Sequence, residues 1–571
     1  MEILDSSEFP DTLDLEDRAK EAINAMLGVA DEDYEYIPFF NANLIAKPAY
    51  MVHGNWDFGS SHGRLVDSLI LARKMNRINE PFEIEKYYRR NLLSFFREDG
   101  LSYRRNTFDE ATIKEHKAEF VESASMIDQR AVIMGLTSWY QETCDENIKA
   151  YADRLCSALK RIARKEREGW YYPASEYTPR GWPSFDAVHT RLTVDPAAMW
   201  GRQIGPLLNY YLLTGNRTAY ELAERFTHNI IYRSGVFNKD GSFNPALEYR
   251  SGHFHTRMGT LASLAHFGVH MMDFSIIEFV KRSYDWALKQ CTNFGWTPGD
   301  LYDQRFEHET CSLVDAIDIG ITLAKTGYVE YWGVVERFVR NHLTESQLLD
   351  VSWIEDLDTK ERDIPKRRTY YRVAQRVKGA FSGYSAPNDF VYSGEWGRGH
   401  IMDVQTCCIA SGTRGLYIVW DSIVTERDRR VYINLLLNKD AKWLRLKSFL
   451  PHRGQIQIEI KKDIEELAVR IPEWTPYGAV KVYKRSEDKT YSGREFPWYK
   501  RCFILINSLK EGEVLVITFP VAEYETEELA SGLKYKAKWR GDNVMNISPE
   551  GIYYPLYKDK KVLERVPVKK K

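Results

Sequence analysis

The chain has 571 residues, more than one hydrophobic core usually serves, so two or more domains are expected. Its 79 basic and 81 acidic residues give a formal net charge of −2, which provides no general attraction to nucleic acid or to a membrane surface. Seven cysteines are a sparse and odd number for this length, which argues against a disulfide scaffold.

The N-terminal sequence, from Met1 to Glu8, is acidic and lacks the basic start and apolar centre of a secretory signal. The sequence also contains no run of 18 or more apolar residues. We therefore expect a soluble, cytoplasmic protein. A chain from which a signal peptide has been removed would show the same pattern.

Amphipathic helical patterns fill the chain between an acidic lead-in, residues 1–45, and residue 425. The lead-in contains one short candidate helix, Leu13–Leu27. The helices predicted after it are Gly63–Met75, Glu83–Phe96, Ile127–Glu142, Asp145–Glu166, Ala197–Thr214, Arg217–Ile231, Thr256–Phe267, Phe274–Gln290, Cys311–Lys325 and Tyr331–His342. Loops rich in Trp, Gly, Pro and His join them, and no repeat of fixed period indicates a solenoid. The pattern predicts a helical toroid over residues 46–425, with a funnel lined by loops at one end.

After residue 425 the pattern changes to short alternating segments separated by turns. The predicted strands are Val431–Leu437, Ala441–Phe449, Gln455–Ile460, Glu466–Ile471, Ala479–Tyr483, Cys502–Ile506 and Val514–Pro520. Their roughly regular spacing predicts a β-sandwich over residues 426–571.

Two motifs that are far apart in the sequence indicate a metal site. Cys407 and Cys408 are adjacent, and neighbouring thiols are better placed to bind one soft metal ion than to form a strained disulfide. Glu309 and Cys311 can point the same way if the backbone between them is extended or leads into a helix. Three Cys and one Glu form an acceptable tetrahedral zinc shell, and a site assembled over so long a range suggests catalysis. The alternative is buried small side chains and a helix N-cap.

The segment His308-Glu309-Thr310-Cys311, taken with Cys407-Cys408, resembles glycoside hydrolase family 127, whose members include β-L-arabinofuranosidases. The likeness runs from roughly residue 60 to residue 555. It implies an (α/α)6 barrel followed by β-sandwich modules, in a mainly α protein with β. It also implies Zn²⁺ held by Glu309, Cys311, Cys407 and Cys408, with Cys407 as the nucleophile of a retaining hydrolase. The substrate would be an oligosaccharide with a terminal sugar similar to a β-L-arabinofuranoside.

The general acid is the point at which the chain departs from this family. The family uses a glutamate upstream of the Glu-x-Cys motif, but sixteen residues before Glu309 this chain has Asn293. Asp300 and Asp303 are the nearest carboxylates, and Glu307 adjoins the metal motif. We expect Asp300 to be the acid.

Substrate contacts are expected from residues that precede helices or the cysteine pair. His255, with its neighbour His253, resembles the family's substrate-binding histidine segment. His189 and Trp396 lie in comparable loops. The high aromatic content, 13%, suits a carbohydrate cleft and equally a large core.

Two other classes of function remain open. One is a lyase or epimerase on the same toroid, in which Tyr and His abstract protons and the zinc is structural. The other is a carbohydrate-binding protein that does not hydrolyse and retains a structural zinc. The β-sandwich can either pack on the barrel or mediate a homodimer, and its strands do not distinguish these arrangements.

Overall fold

The computed structural model describes residues 12–104, 122–167, 169–183, 194–244, 253–301, 307–360, 362–363, 367–392, 402–530, 532–558 and 560–562. Its main helices are α1 (Leu15–Gly28), α2 (Gly59–Met75), α3 (Glu83–Ser94), α4 (Met126–Thr143), α5 (Glu146–Ile162), α6 (Ile204–Thr214), α7 (Arg217–Tyr232), α8 (Phe254–Met271), α9 (Phe274–Leu288), α10 (Thr310–Thr326), α11 (Tyr331–Phe338) and α12 (Thr406–Ser422). Short helices also occur at Pro196–Met199 and Val373–Val377, and a π-helical turn, Val339–Leu343, extends α11.

The even-numbered helices form a closed inner ring. Each of α2, α4, α6, α8, α10 and α12 contacts the next, and α12 contacts α2. The odd-numbered helices lie outside this ring and pack on their inner neighbours. Six inner and six outer helices make the (α/α)6 barrel that the family resemblance implies.

Burial distinguishes the two rings. The inner helix α8 is buried on nearly every side over its first four turns. The outer helix α5 buries only one stripe, which includes Ile148, Leu155 and Leu159. Glycines bring the inner helices α2 and α4 together: a Cβ on Gly63 would lie 2.1 Å from the carbonyl oxygen of Ala131.

Most of the predicted helices are confirmed, with three differences. The predicted helix Asp145–Glu166 ends at Ile162, because Ala163 adopts an extended backbone and Arg164–Glu166 then pairs as an exposed strand. The predicted helix Ala197–Thr214 is interrupted by a 3-10 turn at Gly201–Gln203. Helix α12 was not predicted, although it completes the inner ring.

The barrel carries short strands in its connections. They are β1 (Ala30–Asp31), β2 (Ile37–Pro38), β3 (Asn41–Asn43), β4 (Tyr50–Val52), β5 (Ala124–Ser125), β6 (Arg164–Glu166), β7 (Gly169–Tyr171), β8 (Glu176–Tyr177), β9 (His308–Glu309), β10 (Arg362–Asp363), β11 (Arg368–Thr369), β12 (Tyr384–Ser385) and β13 (Val404–Gln405). Strand β9 pairs with β12, and β13 pairs with β3. These two pairs matter most, because each leads directly into an inner helix.

The C-terminal region is a β-sandwich with an additional sheet. Its strands are β14 (Val424–Arg427), β15 (Arg430–Ile433), β16 (Lys439–Asp440), β17 (Leu444–Ser448), β18 (Gln455–Ile460), β19 (Ile464–Arg470), β20 (Lys481–Lys484), β21 (Lys489–Ser492), β22 (Trp498–Tyr499), β23 (Phe503–Leu509), β24 (Val514–Thr518), β25 (Glu523–Ala530), β26 (Leu533–Arg540) and β27 (Asn543–Ser548). One sheet has the order β14-β15-β19-β23-β22, and the second has the order β16-β17-β18-β24-β20-β21. Strands β25 to β27 form a three-stranded antiparallel sheet. Alternating side chains of the first two sheets, among them Leu467 and Ile458, belong to one continuous hydrophobic core.

Helix α1 lies in the segment expected as an N-terminal lead-in and packs against α2 and α12. The domain boundaries at residues 45 and 425 stay a prediction. Among the described residues, none of the helices combines the length and apolar character needed to cross a bilayer.

Candidate metal centre and active site

Two strand-to-helix turns bring the metal motifs together. Glu309 ends β9, opposite Tyr384, and Cys311 lies in the first turn of α10. Gln405 ends β13, and Cys407 and Cys408 follow in the first turn of α12. Helices α10 and α12 are neighbours in the inner ring, so their N-termini present all four donors at the same end of the barrel.

A threonine fixes each turn. The Thr310 hydroxyl donates to the carbonyl oxygen of Ser382 at 2.7 Å, and the Thr406 hydroxyl donates to that of Phe39 at 2.6 Å. Each threonine is the first residue of its helix, directly before a cysteine. The repeated Thr-Cys dipeptide therefore has the same structural role in both motifs.

The donor atoms of Glu309, Cys311, Cys407 and Cys408 all lie within 4.8 Å of one another, and all four residues are buried. The Sγ atom of Cys408 is 3.6 Å from that of Cys311 and 4.0 Å from that of Cys407. In a tetrahedral shell with Zn–S bonds of about 2.3 Å, two sulfurs lie about 3.8 Å apart. The residues present therefore fit one zinc-sized ion, and this buried group can hold a metal.

Three polar side chains, those of Arg64, Ser411 and Gln405, lie close to the sulfur atoms. The Nη1 atom of Arg64 lies 3.8 Å from Cys311 Sγ, and the Ser411 hydroxyl oxygen lies 3.2 Å from the same sulfur. The Sγ atom of Cys408 lies 3.6 Å from Oε1 of Gln405 and 3.7 Å from the carbonyl oxygen of Gly383. Gly383 itself packs tightly against the segment that leads into β13, since a Cβ there would lie 2.3 Å from the Met402 carbonyl oxygen.

The three thiols are not equivalent. Burial raises the pKa of Cys311 and of Cys408. Hydrogen bonds from Cys311 and Cys408 lower the pKa of Cys407, and the charge of Arg64 acts in the same direction. Cys407 is also 9% exposed, against 1% for Cys311 and 0% for Cys408. Cys407 is therefore both the most acidic and the most accessible thiol of the cluster.

Aromatic rings form one wall of the cluster. Phe40 and the partly buried Trp56 pack against the three cysteines. The guanidinium of Arg104 lies 4.5 Å from the centre of the Trp56 ring and binds both carboxylate oxygens of Asp128 at 2.9 Å. This arrangement fixes Trp56 beside the thiols.

His253 contacts Glu309, and the backbone of Asp300 pairs with that of His253. The Nε2 atom of His253 is 2.8 Å from Oε2 of Glu309. The backbones of His253 and Asp300 form an antiparallel bridge. Asp300, the expected acid, is therefore linked through His253 to Glu309, a candidate metal donor. Glu307 is also buried, and its carbonyl oxygen accepts from Gly299 N at 2.6 Å.

His255 faces the inside of the barrel. Its Nε2 atom lies 2.6 Å from Nη2 of Arg202, and its Nδ1 atom lies 2.6 Å from Oδ2 of Asp315. Burial lowers the pKa of His255, as does the charge of Arg202, so the ring is neutral near pH 7. Both ring nitrogens already have protein partners, and the expected sugar contact of His255 stays a prediction.

His189, Asp303 and Trp396 lie outside the described residues. The sequence analysis did not identify Arg64, Ser411, Gln405 or Trp56 as part of the site. The sequence could have identified Gln405, because it directly precedes a Thr-Cys dipeptide, as Glu309 does. Ser411 follows Cys407 by four residues and so shares its helix face, whereas Arg64 has no local signal.

Comparison with known proteins supports the fold. The sequence matches no protein-family model and none of the curated proteins. A family 127 β-L-arabinofuranosidase from Geobacillus stearothermophilus T6 is similar in structure, with a TM-score of 0.56 and 14% identity over 94% of this chain and 80% of its own. A second family 127 β-arabinofuranosidase gives a TM-score of 0.58 and 14% identity, covering 92% and 78%. A further glycoside hydrolase gives 0.55 and 13%, covering 86% and 77%. At these identities the likeness shows the fold.

Proposed function

We propose that the protein is a metal-dependent retaining glycoside hydrolase that acts on the terminal sugar of an oligosaccharide, in the manner of a β-L-arabinofuranosidase. The observation that carries this proposal is the convergence of Glu309, Cys311, Cys407 and Cys408 at the N-termini of two adjacent inner helices. The (α/α)6 fold, shared with solved family 127 enzymes, gives it further support. The four residues would hold Zn²⁺, which would keep the coordinating thiols deprotonated.

Cys407 is the nucleophile in this proposal. Its exposure, its lowered pKa and its position at a helix N-terminus all favour a reactive thiolate. The sulfur attacks the anomeric carbon as the glycosidic C–O bond breaks, and the new C–S bond links the sugar to Cys407. Arg64 lies behind the cluster and favours negative charge on its sulfurs.

Asp300 is the proposed acid and base. Its backbone pairs with that of His253, whose ring contacts the proposed metal donor Glu309. The protonated carboxyl gives its proton to the departing oxygen in the first step. As a carboxylate it then accepts a proton from the water that attacks the anomeric carbon and breaks the C–S bond, so the anomeric configuration is retained.

The test combines metal analysis with hydrolysis of an aryl glycoside panel that includes the β-L-arabinofuranoside. We expect one zinc per chain, hydrolysis by the wild type, and a loss of at least about 10³-fold in kcat for Cys407→Ser. Cys144→Ser is the matched control, because Glu142-Thr143-Cys144 repeats the triplet at an exposed helix end. It should change neither zinc content nor rate.

Three outcomes would contradict the proposal. Zinc without hydrolysis would favour a carbohydrate-binding protein with a structural metal. A product that absorbs in the ultraviolet would favour a lyase. If the protein binds no metal, the proposed mechanism fails and only the description of the fold stands.

A further inference from the structure

A polar pocket lies on the barrel axis, one helical turn below the thiol cluster, and it is open to solvent at its far end, where the His266 side chain is 40% exposed. Its volume is about 80 Å³, and all six inner helices contribute to its wall. This space is enough for a few water molecules or one small ion. At its upper end are Arg64 and Ser411, whose side chains contact Cys311.

The cavity wall contains more guanidinium than carboxylate groups. Its charged residues are Arg64, Arg130, Arg202, Arg414, Asp315 and Asp318, together with His255 and His266. Both carboxylates have a histidine partner: Asp318 binds His266 at 3.0 Å, and Asp315 binds the neutral ring of His255 at 2.6 Å. The charge of Asp315 therefore still acts on Arg202 and Arg130, but one carboxylate offsets only one guanidinium charge. Arg414 is neutralised from outside the cavity wall by Asp67 at 2.8 Å.

Three arginines therefore face the axis without a carboxylate hydrogen-bonded to them among the described residues. The Nε atoms of Arg64, Arg130 and Arg202 are buried and have no hydrogen-bond partner there, and neither does Nη1 of Arg130. Arg64 is 5% exposed and Arg202 is 3% exposed. A guanidinium stays charged at any ordinary pH, and a buried charge without a partner is costly. Burial and the charges of Arg202 and Arg64 also lower the pKa of Arg130, which reflects the positive potential of the cavity.

We propose that this cavity, the axial anion site, binds one small inorganic anion of halide size between Arg64, Arg130 and Arg202. The three side chains come from α2, α4 and the 3-10 turn before α6, so one ion would join three successive parts of the inner ring. Its accessible space of about 80 Å³ suits a single compact ion better than a sugar. The inference goes beyond the hydrolase proposal and does not depend on it, because neither metal nor glycoside enters the argument.

The direct test is diffraction from crystals of the full-length protein grown with bromide as the only halide. We expect an anomalous bromine peak in contact with Arg130 and Arg202. Crystals of Arg130→Met should lack that peak, because the variant removes one donor and one charge. Arg154→Met, on the exposed face of α5, is the control and should keep the peak.

A solution measurement complements the crystals. The Tm of the wild type is followed as sodium bromide replaces sodium gluconate at constant ionic strength, since gluconate is too large for the cavity. Above the Kd we expect a rise of about 1 °C for each tenfold increase in bromide. Arg154→Met should show the same rise, and Arg130→Met should show none.

Two results would overturn the proposal. An empty cavity in bromide-grown wild-type crystals would mean that the thiolates above Arg64 supply all the compensating charge. A peak and a Tm rise that persist in Arg130→Met would show an adventitious ion only.

Discussion

The Nε2 atom of His253 lies 2.8 Å from Oε2 of Glu309, so a histidine expected to contact sugar is bound to a metal donor. His253 directly precedes helix α8, whereas Glu309 directly precedes α10, and these helices are neighbours in the inner ring. Hydrogen-bond partners of this kind orient a ligand carboxylate and tune its basicity. The contact connects the candidate metal shell to the segment in which a sugar is expected to bind.

Substitution His253→Ala should weaken zinc binding about 10- to 100-fold, because Glu309 loses the group that orients its carboxylate. The measurement is a competition titration with a chromogenic chelator. His228→Ala, on the exposed side of α7, is the matched control and should leave the affinity unchanged. Unchanged zinc affinity in His253→Ala together with a raised KM would instead make His253 a sugar contact alone.

Kinetics can distinguish the roles of the two candidate acids, Asp300 and Glu307. Asp300→Asn should lower kcat about 10²- to 10⁴-fold on glycosides with poor leaving groups, because protonation of the departing oxygen is lost. The deficit should shrink for activated aryl leaving groups, which need no proton in the first step. Glu307→Gln is the matched variant, and it should retain most of the activity.

If only Glu307→Gln lowers kcat, and does so most for poor leaving groups, then Glu307 is the acid. Equal and leaving-group-independent losses in both variants would indicate structural damage at this buried pair of turns.

Sequence periodicity was sufficient for most of the barrel because outer helices such as α5 carry a clear apolar stripe. Sequence periodicity did not predict helix α12. Its first turn consists of buried thiols and other small side chains, and it contains Gly412 and Gly415, which are weak helix formers. The closure of the inner ring depends on contacts between helices that are far apart in the sequence, and local sequence patterns do not predict such contacts.

The convergence of the four donor residues could be predicted because such motifs are rare: three thiols and a carboxylate in two short motifs have few other uses. The groups around it could not. Arg64 occupies an ordinary position on an inner helix, and only the closure of the ring brings it within 3.8 Å of Cys311. The pairing of His253 with Glu309 likewise depends on the order of the inner helices.

Glu336 connects the barrel to the β-sandwich and should be critical for stability. It is fully buried in α11, where Oε1 accepts from Arg340 Nε at 2.8 Å and Oε2 accepts from the backbone N of Leu436 at 3.2 Å. It also pairs with Arg470 of β19. Glu336→Gln would remove the carboxylate that two buried guanidinium groups share, and we expect a cost of about 3 kcal/mol in the free energy of unfolding.

Urea unfolding followed by tryptophan fluorescence measures that cost. Glu330→Gln, at the exposed start of the same helix, is the control and should change the free energy by less than about 0.5 kcal/mol. A loss in Glu336→Gln no larger than the control would mean that the interface depends on its apolar contacts and not on this ion pair.

The pair of His266 on α8 and Asp318 on α10 should make stability depend on pH. Their atoms Nε2 and Oδ1 lie 3.0 Å apart, and the charge of Asp318 raises the pKa of His266 above its ordinary value of 6.5. Because the folded pKa is the higher one, the stabilisation is fully present below pH 6.5 and is lost as the pH rises through the raised value. Since the His266 side chain is 40% exposed, solvent screening should limit the effect to about 0.5–1 kcal/mol.

The measurement is the difference in free energy of unfolding between the wild type and His266→Asn from pH 5.5 to 9. We expect the wild type to be the more stable at the acidic end, and the pH-dependent part of the difference to disappear at the alkaline end. Asp318→Asn should remove the same pH dependence, because the histidine then loses the carboxylate that raises its pKa. His228→Asn, exposed on α7, should not. A difference that grows as the pH rises would have the wrong sign for a charged histidine. It would show that neutral His266 is the form that the fold favours.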